Sequence, residues 1–103
     1  MIRHIVALRF MPEVDAAQKR DLFAALQALC AVLPGKPEFR SFANVSPEEP
    51  VVHGFRDLFW IDFPDAASRD AYLVDPRHQV IGARLVAAAQ GGLDGVQVLD
   101  VET

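Results

Sequence analysis

Apolar and polar residues alternate along the first ten positions of the chain. Ile2, His4, Val6, Leu8 and Phe10 fall on one face, and Arg3, Ile5, Ala7 and Arg9 fall on the other. A period of two predicts a β-strand over residues 2–10, because successive side chains leave a pleated strand on opposite sides. The period then changes. In "PEVDAAQKRDLFAALQALCAVLPG" the residues Leu22, Leu26, Leu29 and Leu33, with Phe23 and Cys30 alongside, make a broad apolar stripe at helical spacing. Asp15 and Gln18 are spaced as a capping box at its start, and Pro34-Gly35 stops it. Cys30 lies within the stripe, so it reads as a core residue rather than a nucleophile.

The rest of the chain continues in short segments. "FRSFANV", 39–45, predicts a second strand, and "SPEEPVVHG" an irregular loop with two prolines and a glycine. "FRDLFWIDF", 55–63, predicts a third strand. Pro64-Asp65 opens a short helix running to Val74, and Asp75-Pro76 opens another running to Gln90, closed by Gly91-Gly92. "GVQVLDVE", 95–102, predicts the fourth strand. This order, β-α-β-β-α-β with the second helical part broken in two, is the α+β ferredoxin-like arrangement with a four-stranded antiparallel sheet in spatial order 4-1-3-2. Its helices cover one face of the sheet. The other face carries Ile5, Ala7, Phe42, Leu58, Trp60 and Leu99, too apolar for water. A second layer is needed, and a second copy of the same sheet supplies it most simply, which predicts a homodimer.

Composition narrows the function classes. A chain of 103 residues has room for one domain, 1–103, and 51% hydrophobic with 23% charged residues suits a compact fold. The net charge of −4 offers no cationic footprint for nucleic acid. The single cysteine forms no intrachain disulfide, which fits a reducing cytoplasm. Neither a signal peptide nor a bilayer-spanning segment is expected.

Four pieces in order, "IRHIVALRF", "NVSPE", "HGF" and "AYLVDPRH", resemble the stress-responsive dimeric α/β-barrel (Dabb) family over nearly the whole chain. The resemblance implies two ferredoxin-like protomers whose sheets face each other in a dimeric α/β barrel, matching what the unpaired apolar face requires. It is more distantly similar to a plant member, olivetolic acid cyclase, which implies that the scaffold can host a cofactor-free aldol-type cyclisation. Carried over by motif, His4, Tyr72 and His78 take three of the cyclase's four polar positions. Asp57 stands where the cyclase has a histidine, and Leu26 where it has a tyrosine.

With Asp75 as N-cap, His78 is the third residue of its helix. The helix dipole and the neighbouring Arg77 disfavour an imidazolium there, so a neutral ring able to accept a proton is expected, with the Tyr72 hydroxyl bonded to it. The pair reads either as base and donor for enolisation beside a carbonyl or as a tie between two helices. His4 should face Asp100 across strands one and four, as a positioned base or as a satisfied buried imidazole. Asp57, on the apolar face of strand three, reads equally as an acid or base and as a solvated strand end. His53 sits in a loop. The three histidines lack metal-ligand spacing, no glycine-rich phosphate loop follows a strand, and no nucleophile elbow is present, so neither metal nor cofactor is expected. Three functions follow: a binding protein for a small hydrophobic or carbonyl-containing metabolite with stress-linked or accessory roles, a cofactor-free lyase or cyclase using His78 and Tyr72, and a non-catalytic structural dimer module.

Overall fold

The computed structural model describes all 103 residues. Its elements are β1 (Ile2–Leu8), α1 (Ala16–Val32), β2 (Glu38–Ala43), α2 (Glu49–Val52), β3 (Asp57–Phe63), α3 (Ala66–Val74), α4 (Pro76–Ala88) and β4 (Val96–Glu102), with a 3₁₀ turn at Gly92–Gly95. The sheet runs β2-β3-β1-β4, every neighbour antiparallel. This is the ferredoxin-like order that the alternation and its breaks predict.

Register divides the sheet into two faces. Inward lie Ile2, His4, Val6 and Leu8 of β1 and Asp57, Phe59, Ile61 and Phe63 of β3, against the helices. The α1 stripe answers with Leu22, Leu26, Leu29 and Cys30, all buried, below a capping box in which Asp15 and Gln18 bond each other's backbone amides at 2.8 Å. Burial pushes the Cys30 thiol up to about 11, so it stays protonated in the core. Leu26 is likewise core, fully buried. The outward face keeps Phe42 at 43% and Leu99 at 50% exposure, beside half-buried Ile5, Leu58 and Trp60.

Four boundaries differ from the sequence reading by two residues. β1 stops at Leu8 rather than Phe10, since Phe10 leaves the sheet to bridge Ala89. The same bridge ends α4 at Ala88, short of Gln90: Met11 N–H donates to the Ala88 carbonyl (2.9 Å) and Gln90 N–H to the Arg9 carbonyl (2.7 Å). The crossing is tight at Gly95, where an added Cβ would lie 2.6 Å from the Gln90 oxygen. β2 ends at Ala43, and β3 begins only at Asp57, because Asn44 and Arg56 turn to hold the loop. That loop is less irregular than expected, enclosing the single turn α2, with Pro50 near its start where no amide hydrogen is missed. No helix is long and apolar enough to cross a membrane.

Candidate functional site

One end of the inward face gathers rings from four elements. β1 presents His4, β3 Phe63, α3 Tyr72 and α4 His78. Tyr72 stands at the centre: His78 stacks on it at 4.1 Å between centroids, Phe63 lies at 5.2 Å and His4 meets it edge-on at 6.0 Å. Local sequence explains the convergence. Asp65 caps α3 by accepting from Ser68 N–H, and Asp75 serves both as C-cap of α3 and N-cap of α4, accepting from Arg77 N–H at 2.8 Å. The sharp α3–α4 turn that results folds His78 back over Tyr72.

His4 is 5% exposed and lies directly across from Asp100, as counting along the strands predicts. Its Nδ1–H donates to Asp100 Oδ1 at 2.7 Å. Burial works against the Asp100 carboxylate, but the hydrogen bonds from His4 and Arg69 outweigh it and hold its pKa below the usual range. An ionised carboxylate only accepts, so Nδ1 must carry the proton and Nε2 is left for another partner. The same holds at His78, whose Nδ1–H donates to the Leu73 carbonyl at 3.3 Å. Burial pushes the His78 pKa down, and nearby His4 adds to this, against the opposing pull of the Leu73 carbonyl and Asp75.

The expected cause at His78 therefore needs correcting. A neutral ring is favoured by burial and His4, whereas Arg77 is folded onto Asp75 through two bonds of 3.0 and 2.7 Å. That pairing, with the Arg77 amide, holds Asp75 down to about 2. The Tyr72–His78 hydrogen bond is also absent: the two rings stack instead, and the Tyr72 hydroxyl makes no hydrogen bond within the protein. Tyr72 is only 1% exposed, yet its hydroxyl is not sealed off, since Trp60 Nε1 is the one side-chain atom both sealed and unpartnered. Burial raises the phenol pKa, so it holds its proton as a donor. Tyr72 and Phe63 also line a cleft of about 280 Å³ whose wall includes Leu33, Pro37 and Ala71, with Asp65 and Ser68 at its polar side.

Asp57 does not join this cluster. Its carboxylate accepts from Lys19 Nζ at 2.9 Å at the opposite end of the inward face. His53 is likewise remote, ending α2 in a left-handed conformation (φ 54°) with its carbonyl accepting from Arg9. No three His, Cys, Asp or Glu side chains come together as a metal site. Arg69, which reaches Asp100 Oδ2 at 2.5 Å, is the polar residue that sequence reading missed; a contact across 31 positions leaves no local signal.

The profile of the Stress responsive A/B Barrel Domain matches residues 2–102. The chain belongs to this family. A dimeric ferredoxin-like protein of unknown function from Jannaschia sp. CCS1 is 35% identical to this A/B barrel domain, covering 99% of this chain and 98% of its own, at a TM-score of 0.88. At3g17210 from Arabidopsis thaliana (18% identical, 100% and 95% covered, TM-score 0.87) and the hydroxynitrile lyase of Passiflora edulis (19%, 97% and 90%, 0.80) share the fold. No curated protein matches the chain. The A/B barrel assignment agrees with the resemblance read from the four sequence pieces, and dimeric relatives fit the apolar outward face.

Proposed function

We propose that this A/B barrel domain is a homodimeric binding protein for a small, largely apolar metabolite bearing a carbonyl group, held in the cleft beside Tyr72. One observation carries the reading: the Tyr72 hydroxyl has no hydrogen-bond partner in the protein, and Tyr72 is among the residues that line an apolar cleft. A donor kept protonated by burial suits a neutral carbonyl oxygen, and the walls from Leu33, Pro37, Phe63 and Ala71 suit an aromatic or alkyl body. The homodimer is supported by the apolar outward face and the dimeric relative from Jannaschia. Calorimetric titration with phenolic ketones and β-diketones tests the site. Wild type should bind, and Tyr72→Phe should bind at least about tenfold more weakly, because it lacks the donor. Equal binding by both, or by neither, removes the reading. Leu58→Lys should sediment as monomer or aggregate where wild type is a dimer, since a buried unpaired ammonium costs several kcal/mol.

A second reading, a cofactor-free lyase or cyclase, is favoured by the two histidines that flank Tyr72. Each spends Nδ1–H on a fixed acceptor and keeps Nε2 without a protein partner. In this reading a histidine Nε2 removes a proton from the carbon beside the carbonyl, while Tyr72 donates a hydrogen bond to the enolate oxygen that forms. The shared fold of the Passiflora hydroxynitrile lyase lends support. Exchange of the carbon-bound protons of a bound β-diketone for deuterium, abolished in His4→Ala or His78→Ala, is the expected result. Exchange at the solvent rate with wild-type protein leaves only binding.

A further inference from the structure

Asp100 sits on edge strand β4 with its side chain about a quarter exposed, a place where a carboxylate normally turns freely in water. Here it is gripped from both sides. Oδ1 accepts from His4 Nδ1–H at 2.7 Å, and Oδ2 accepts from Arg69 Nη1 at 2.5 Å. Arg69 is itself fixed, its Nε donating to Asp70 Oδ1 at 2.8 Å. The planar guanidinium thus bridges Asp100 and the exposed Asp70, and its contact with Asp100 holds the carboxylate oxygen that His4 does not use.

We propose that Arg69 is a positioning residue: by holding one oxygen of Asp100 it keeps the other against His4 Nδ1, and so sets Nε2 as the nitrogen that His4 offers to a ligand. The two tautomers of a neutral imidazole lie close in energy, and the acceptor at one nitrogen decides which is populated. An anchored carboxylate decides it firmly; one that turns or hydrates does not. The ionisable groups around His4 are Asp100 from β4, Tyr72 and, through Asp100, Arg69 from α3, and His78 from α4. Its β3 register partner, Ile61, brings none. Asp100 alone among these gives Nδ1 an acceptor, so what fixes Asp100 fixes the tautomer. The use made of Nε2 rests on the acid–base reading of the site, but the tautomer itself does not.

The test is nitrogen-15 NMR of histidine-labelled protein without ligand, at a pH where the imidazole rings are neutral. In wild type the Nδ1–H form of His4 should exceed the other by about tenfold or more, as a charge-assisted bond would give. Arg69→Gln should bring the two forms to comparable populations, and Arg69→Lys, which keeps the charge, should fall between. A purely structural Arg69 would lower the melting temperature and leave the tautomer ratio unmoved, which overturns the proposal. So does a wild-type His4 in the Nε2–H form. Should the Gln variant not fold, an Arg69→Lys ratio equal to wild type counts against it. Because no ligand or turnover enters, the result stands apart from the carbonyl-binding titration.

Discussion

Each end of the inward sheet face carries a carboxylate in an ion pair, and the two ends differ in what they leave over. At one end Asp57 pairs with Lys19, whose ammonium also lies over the Phe10 ring at 5.2 Å, above the packed rings of Phe23, Phe39 and Phe59. Asp57 and Lys19 are each other's partner there, joined through Asp57 Oδ2. At the other end, about 13 Å along the strands at four residues' rise, Asp100 is equally well satisfied, but the groups around it are not. His4 Nε2, His78 Nε2 and the Tyr72 hydroxyl all lack a bond within the protein. None of the three is sealed from solvent, so water can satisfy each of them and a ligand entering from that side can take the water's place. An ionised carboxylate on an apolar face is therefore not in itself a site. The surplus of hydrogen-bonding capacity beside it is what separates the two ends.

The largest expected effect comes from removing a fully buried ring from each cluster. Tyr72→Ala and Phe59→Ala should each cost about 3–5 kcal/mol in urea unfolding, since both empty a fully buried aromatic site. The comparison is sharpened by the conservative change. Tyr72→Phe should cost less than about 1.5 kcal/mol, because no intramolecular bond is lost, while binding of a carbonyl ligand falls. If Tyr72→Phe destabilised as much as Tyr72→Ala, the hydroxyl would have a structural partner and the contrast between the ends would disappear.

The next effect is in pH. His78 has a folded pKa below the ordinary 6.5, with burial the leading cause. The unfolded chain then takes up a proton at a higher pH than the folded one. Below about 6.5 the unfolded state binds more protons, so stability falls as pH drops from there toward the folded pKa. Above 6.5 the contribution is complete and flat. His78→Gln should reduce this slope between the two values, and a titration of the His78 ring protons should place its midpoint below that of the unfolded chain. A midpoint above 6.5 would mean a charged ring and would end its candidacy as a base.

How far the two ends were legible in the sequence follows from the range of the contacts that build them. The His4–Asp100 pairing could be counted out, since antiparallel strands of known order fix which residues face each other. Asp57 fell on the expected face too, but its partner lies 38 positions away on α1, and only the docking angle of the helix brings Lys19 to it. The same limit hid Arg69. The Asp75-Pro76 start gave the α3–α4 turn correctly, whereas stacking rather than bonding between Tyr72 and His78 depends on ring rotations that local sequence does not encode. The resemblance to olivetolic acid cyclase supplied His4, Tyr72 and His78 together but carried Asp57 along by alignment of position, and the structure separates it from them.

The smallest effect should come from the satisfied end. Asp57 and Lys19 are both partly exposed, so their attraction is screened by water and their loss should be mild. Asp57→Asn and Lys19→Met should each change stability by no more than about 1 kcal/mol. For a domain of this size that is a melting shift of about 4–8 °C at most. Salt should weaken the wild-type pair and leave the variants unaffected, so the difference between them should shrink as ionic strength rises. Binding of a carbonyl ligand beside Tyr72 should be unchanged in both, because no contact links Asp57 or Lys19 to the ring cluster at the far end. A ligand affinity that fell several-fold in Asp57→Asn would join the two ends into one extended site and restore the role that the cyclase resemblance implies for that position.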